Sequence, residues 1–167
     1  MAFEPQYQEA AESEIVSNFI AVIKRDMPDA LTHFYSEDNL PTFAIVTDGE
    51  ISEFRFPLFV LGVQRMTSTE SLELDEGGYL SQSIILSAGM ALASTSLKIV
   101  RLNARKYVRC IKSVIRSTSV SDLLPATALI LNHSIDIDHR YFKHRKDEIG
   151  NTVQEVEFDF KISFGES

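Results

Sequence analysis

The clearest pattern in the chain is an alternation of apolar and charged side chains over residues 153–164. A period of two places successive side chains on opposite faces of a strand, so this segment is predicted as a strand with one buried face. The inward positions are Gln154, Val156, Phe158, Phe160, Ile162 and Phe164, and the outward ones are Glu155, Glu157, Asp159 and Lys161. A strand over residues 128–137 is expected to pair with it as a hairpin.

Two further long strands are predicted, over residues 58–66 just after Pro57 and over residues 80–92. In the second, the even positions are mostly large and apolar, whereas the odd positions are mostly Ser, Gly and Ala. The small face allows close approach of a helix of the same chain or of a neighbouring subunit, or is simply partly exposed. Residues 67–78 between the strands are predicted as an acidic hairpin loop.

Helical spacing of apolar residues appears in two places. Residues 8–26 predict an amphipathic helix that ends near Pro28, followed by a turn and loop over residues 30–42. Residues 98–117 predict a second helix with one apolar stripe and one cationic face. Between the helices, residues 42–47, Asp48-Gly49 and residues 51–56 predict a short hairpin or strand pair.

The order α-β-β-β-α-β-β predicts an α+β fold with a mainly antiparallel sheet, on which an N-terminal helix and a central amphipathic helix pack. The chain has 167 residues and 18.8 kDa, which corresponds to one domain over residues 1–167. Residues 138–152 either extend the last hairpin as a charged arm or form a loop.

The composition narrows the class of protein. The single cysteine, Cys110, has no internal disulfide partner, and its place in the second helix favours a packing role over a nucleophilic one. The N-terminal residues contain no apolar run of signal-peptide or membrane length, so we expect folding in the cytoplasm and no membrane association.

Charge is unevenly distributed along the chain, whose formal net charge is −8. Residues 77–121 contain no acidic residue, and the rest of the chain carries −15. The seven cations of that segment are Lys98, Arg101, Arg105, Lys106, Arg109, Lys112 and Arg116. Either these form a self-assembly surface, or they are a solvated helix face on an acidic protein. Nucleic-acid binding is disfavoured by the net charge and because Tyr107 falls on the apolar stripe.

One polar cluster contains residue types that bind metals, namely His133, Asp136, Asp138, His139 and His144. On an ideal strand the two aspartates lie on one face, and His133 and His139 lie on the other, which argues against a metal site. The sequence has no nucleophile elbow and no Gly-rich phosphate loop, and Asp48-Gly49-Glu50 is a turn rather than a calcium loop. We therefore expect no catalytic residue and no cofactor. The alternative is a small cytoplasmic enzyme or a metal- or ligand-binding domain that uses residues 133–144.

Taken together, the elements resemble the tail terminator and related neck proteins of tailed bacteriophages. The resemblance covers residues 8–165 and is carried by FPLFVLGVQRM, YLSQSIILSAGMALAS, VRLNARKYVRCIKSVIR, ALILNHSIDID and VQEVEFDFKISF. It implies a structural virion protein, assembled in the host cytoplasm, that forms a hexameric ring at the head-proximal end of the tail. Such a ring ends tail-tube polymerisation and joins the tail to the neck, with the tail tube and the neck or connector proteins as partners. Stoppers, connectors and tail-completion proteins of the neck have similar sizes, so the position along the neck stays open.

If the resemblance holds, two groups of residues have roles in assembly. The candidates for the subunit interface are Lys98, Arg101, Arg105, Arg109, Lys112 and Arg116. The candidates for a lumen or partner surface are Glu70, Glu73, Asp75, Glu76, Glu155, Glu157 and Asp159. An acidic lumen lets DNA pass without specific binding, because phosphate-binding cations would add affinity.

Overall fold

A computed structural model of the chain describes residues 7–70, 80–126 and 128–166. The helices are α1 (Tyr7–Tyr35), α2 (Leu97–Ser117) and the short α3 (Val120–Leu123), and a 3₁₀ turn spans Ser36–Asp38. The strands are β1 (Ile45–Thr47), β2 (Leu58–Glu70), β3 (Leu80–Ser94), β4 (Ala128–Tyr141), β5 (Arg145–Lys146) and β6 (Thr152–Glu166).

The strands form one sheet in the order β1-β2-β3-β6-β4, with β5 also paired to β6. Every pairing is antiparallel except that of β1 with β2. This arrangement confirms the predicted α+β class with a mainly antiparallel sheet.

The predicted alternation of β3 and β6 is confirmed in the sheet. The two strands pair along their whole length, from Leu80 opposite Glu166 to Ser94 opposite Thr152. Their large side chains lie on one face, where Leu86 is opposite Phe160 and both are fully buried. Matching one buried face on two long strands fixes the register, because a shift by one residue would move every apolar side chain to the other face.

Both long helices pack on this apolar face. Ile15 and Phe19 of α1 and Tyr107 and Ile111 of α2 belong to the same buried cluster as the core residues of β3 and β6. The rings of Phe19 and Phe160 lie 5.4 Å apart, an aromatic contact that adds about 1 kcal/mol to simple burial. The helices and the sheet therefore share one hydrophobic core.

Helix α2 has well-defined ends. It begins after Ser96, whose side-chain oxygen accepts a hydrogen bond from the backbone N–H of Ile99 at 3.4 Å. It ends at Thr118, whose hydroxyl and backbone N–H both donate to the Val114 carbonyl. In its middle, the buried Tyr107 hydroxyl donates to the Pro41 carbonyl and ties the helix to the segment before β1.

The predicted end of the first helix near Pro28 was wrong, because α1 continues to Tyr35 with Pro28 inside it. The apolar stripe carries on in register across the proline, with Met27 before it and Leu31 after it both buried. Burial of these side chains against the core offsets the cost of a proline within a helix. The Thr32 hydroxyl donates to the Pro28 carbonyl at 3.0 Å.

The predicted hairpin around Asp48-Gly49 was also wrong. β1 pairs with β2 in parallel, with Ile45 opposite Leu58, and residues 51–56 form no strand. Gly49 lacks the positive φ that a tight hairpin turn of this type needs. Its N–H instead bonds to the Thr47 hydroxyl at 3.0 Å, and residues 48–57 return the chain to the start of β2.

Three other boundaries differ from the prediction. Residues 67–70, expected in the acidic loop, continue β2 opposite β3, and the remainder of that loop lies outside the described residues. The segment between α2 and β4, for which no element was predicted, contains α3. Residues 138–152 extend the last hairpin: β4 runs to Tyr141, and Asp147 closes the turn by accepting the N–H groups of Ile149 and Asn151.

We expect Tyr107→Phe to lower the free energy of unfolding by about 1 kcal/mol, because the hydrogen bond to the Pro41 carbonyl is lost while the ring stays in place. Urea unfolding followed by circular dichroism measures the change. The matched variant Tyr141→Phe, at an exposed position, should change stability by less than about 0.5 kcal/mol. Equal losses from both variants would contradict the assigned role of Tyr107.

Candidate assembly interface

The side of the sheet opposite α1 and α2, here called the open face, carries no helix in the described part of the chain. Small residues lie at its centre, among them Gly62 of β2 opposite Ser87 of β3. A Cβ placed on Gly62 or on Gly89 would meet no atom within 4 Å. Of the alternatives left open by the sequence, the structure excludes a covering helix from α1 or α2.

A shallow groove of about 530 Å³ crosses the open face. Phe54 and Phe142 lie at its walls, and both side chains are exposed. Gly62 and Gly89 line its floor. The open face therefore includes an accessible groove that is lined by apolar side chains, among them Leu58 and Val60, and by small residues.

The outward carboxylates of β6 lie on the open face, but two of them have partners within the chain. Glu155 pairs with Arg145 at 3.2 Å, and Glu157 pairs with Arg140 at 2.8 Å. Asp159 accepts a hydrogen bond from the Ser87 hydroxyl at 3.2 Å. These pairs neutralise much of the negative charge that the sequence places on this surface.

A third ion pair on the open face joins β4 to β6, where Lys161 contacts Asp138 at 3.0 Å. The hydrogen bond from Lys161 holds the pKa of the Asp138 carboxyl below its usual value and raises the pKa of Lys161. Both side chains are exposed, so the pair contributes little to stability. Of the other acidic candidates, Glu70 ends β2, and Glu73, Asp75 and Glu76 lie outside the described residues.

The cations of α2 have a different environment. Lys106 pairs with Asp38 at 2.9 Å and lies 5.4 Å from the ring centre of Tyr35, so it connects α2 to the end of α1. The Arg109 guanidinium lies 4.5 Å from the ring centre of Phe34. None of the six interface candidates has an ion-pair partner among the described residues. Their charges are therefore available to a binding partner.

Four of these cations line a concave surface of about 490 Å³ between α2, the end of α1 and the edge strand β4. We call this surface the basic groove. Its cations are Arg105, Arg109, Lys112 and Arg116, and no described carboxylate lines it. The groove brings together four cations that have no ion-pair partner in the described chain.

Strand β4 supplies the aromatic wall of the basic groove. His139 and Tyr141 line it, with their rings 5.3 Å apart in an edge-to-face contact. Burial, and then the nearby charge of Lys112, lower the pKa of His139. His139 was considered only as a possible metal ligand and Tyr141 was not predicted at all, because the predicted strand ended at Ile137, although the alternation of Ile135, Ile137, His139 and Tyr141 continues it.

The cluster of possible metal ligands is dispersed. As predicted for a strand, Asp136 and Asp138 lie on the open face, whereas His133 and His139 lie on the helix side of β4. His144 follows β4, and its Nδ1 has no hydrogen-bond partner in the described chain. Within residues 7–70, 80–126 and 128–166, no group of three or more His, Cys, Asp or Glu side chains could hold a metal ion.

Comparisons with known proteins identify no family. No protein-family model and no curated protein sequence matches the chain. Among solved structures, the fold is similar to a chain from the virion of native gene transfer agent (GTA) particle, with a TM-score of 0.46 and 9 % identity, over 96 % of this chain and 98 % of that one. At this level of similarity the likeness carries no argument about function. None of the described helices is long and apolar enough to cross a membrane.

We predict that Cys110 is unreactive towards a thiol reagent in the folded protein at pH 8. The side chain is fully buried in α2, and burial raises the pKa of the thiol to about 11, so almost no thiolate forms. Because the chain has one cysteine, colour release from a disulfide reagent reports this group alone. The denatured protein should react at once and stoichiometrically, and equally fast reaction of the native protein would contradict a packing role.

Proposed function

We propose that this protein is a structural virion component of a tailed phage. In this proposal it forms a hexameric ring at the head-proximal end of the tail, ends tail-tube polymerisation and joins the tail to the neck. The observation that carries the proposal is the row of unpaired cations on α2, on a subunit that is acidic elsewhere. No side chain acts as a catalyst in this function.

The charge distribution favours contacts between unlike surfaces of identical subunits. Six of the seven cations of α2 lack an ion-pair partner in the described chain, whereas the chain outside residues 77–121 carries −15. A basic patch on one copy therefore attracts an acidic patch on the next. Because the two patches differ, the contact is head-to-tail, and such contacts close into a ring when the rotation between subunits allows it.

The order of elements supports the tail-terminator resemblance. The described chain contains an amphipathic N-terminal helix, two long paired strands, a helix with a central tyrosine and a closing β-hairpin. These are the elements on which the resemblance depends. A second copy, the tail tube and neck proteins are the partners that this proposal implies.

The open face suits a lumen or a partner surface. Its arginines Arg140 and Arg145 are held by Glu157 and Glu155, so they are not free to bind phosphate. Such a surface offers few free cations to the phosphates of passing DNA, so its affinity for DNA is low. In the proposed ring, DNA passes without specific binding.

We expect the double reversal Arg105→Glu with Arg109→Glu to weaken subunit association by about 100-fold or more, because two unpaired cations of the interface become anions. Light scattering after size exclusion, over a range of protein concentrations, measures the association.

The matched control is Lys24→Glu with Arg55→Glu, which changes the net charge equally at exposed positions outside the basic groove. It should associate as the unmodified protein does. Unfolding midpoints of both variants check that the fold is kept, since Arg109 also packs on Phe34. If the variant with Arg105→Glu and Arg109→Glu forms rings of unchanged size and stability, α2 does not lie in the subunit interface.

A further inference from the structure

We infer that the acidic hairpin segment of residues 70–76 of one subunit docks in the basic groove of the neighbouring subunit. This inference rests on the proposed ring and specifies which two surfaces meet in it. It joins two groups of residues that were assigned separately to a subunit interface and to a lumen or partner surface.

The groove presents its cations as a single row. Arg105, Arg109, Lys112 and Arg116 follow each other at spacings of four, three and four residues, which places them on one face of α2. At about 1.5 Å per helical residue the row is about 16 Å long. Phe34 and Tyr141 flank it with apolar surface.

The proposed occupant matches the groove in charge and in length. Residues 67–79 contain four carboxylates, no lysine and no arginine. A chain that leaves Glu70 and returns to Leu80 through nine residues spans at most about 15 Å, close to the length of the cation row. The segment also contains Leu72 and Leu74, which suit the aromatic flanks of the groove.

The geometry of the sheet indicates that the segment comes from another copy. The pairing of β2 with β3 ends at Glu70 opposite Leu80. Tyr141, at the far end of the groove, pairs with Val156, which in turn pairs with Met90. Met90 lies ten residues along β3 from Leu80, or about 33 Å at strand spacing.

Residues 71–79 cannot cover that distance within the same chain. A connection of nine residues that leaves Glu70 and returns to Leu80 reaches about 15 Å at most. A segment of the same subunit therefore cannot fill the groove along its length. The same segment of a head-to-tail neighbour can lie along the groove, because its position is not fixed by the sheet of the subunit that carries the groove.

The direct test is an exchange of charges between the two surfaces. The groove variant carries Arg105→Glu and Arg109→Glu, and the hairpin variant carries Glu73→Lys and Asp75→Lys. Each alone should associate about 100-fold or more weakly than the unmodified protein, since every groove-hairpin contact then joins like charges. Sedimentation velocity at several protein concentrations gives the association constants.

The equimolar mixture of the two variants should have an association constant within about tenfold of that of the unmodified protein. The reason is that alternating subunits then pair opposite charges at every contact. One chain with all four substitutions should recover this association as well. As a control, the hairpin variant is mixed with the protein that carries Lys24→Glu and Arg55→Glu. The association of this mixture should stay weak.

Other outcomes overturn the inference in distinguishable ways. If the hairpin variant forms rings as stable as those of the unmodified protein, the docking is overturned and the proposed ring is left intact. The same holds if both variants associate weakly and their mixture does not recover. An unmodified protein that stays monomeric throughout would overturn the proposed ring itself. The unmodified protein and the hairpin variant could bind a 20-base-pair DNA duplex that the groove variant does not bind, while all three associate equally. This result would assign the groove to phosphate binding instead.

Discussion

The structure depends on a sheet whose large apolar side chains lie mainly on one face, with a small second cluster around Leu58, Ala91 and Val153 on the other. In β3 and β6 the buried side chains alternate with small or charged ones, and the two strands pair over their full length. Burying the apolar face requires cover on one side, and α1 and α2 both pack there. As a result the cationic side of α2 points away from the core, and the opposite side of the sheet stays open.

The distribution of charge follows from this arrangement. On the open face, Glu155 and Glu157 are each paired with an arginine of the same hairpin, so charge is balanced locally. On α2 only Lys106 finds a carboxylate within the described chain, and the other cations remain unpaired. Charge of opposite sign is present in the sequence at residues 70–76, which cannot reach the far end of the same subunit's groove. A second copy is the simplest source of the missing partner.

Strong local patterns predicted most of the fold. The alternation in β6 and the apolar stripe of α2 each identify a buried face, and both predictions are confirmed. Local signals failed where tertiary contacts decided the outcome. Pro28 is tolerated because Met27 and Leu31, on either side of it, are buried, and Asp48-Gly49 connects parallel rather than antiparallel strands.

The candidate site was predictable only in part. The cations of α2 are evident from the sequence, because a stretch without acidic residues coincides with a helical period. Their association with Phe34, His139 and Tyr141 depends on how the end of α1 and the edge strand pack around the helix, which no local pattern encodes. The pairing of the β6 carboxylates with Arg140 and Arg145 likewise depends on the register of the last hairpin.

The most direct test of the account is the mass and shape of the unmodified protein in solution. Light scattering after size exclusion, combined with negative-stain images at several protein concentrations, measures both. We predict a ring of about six subunits with a central hole, formed more fully at higher protein concentration and weakened by salt. A monomer at every concentration and salt level would contradict the claim that the unpaired cations of α2 serve self-assembly.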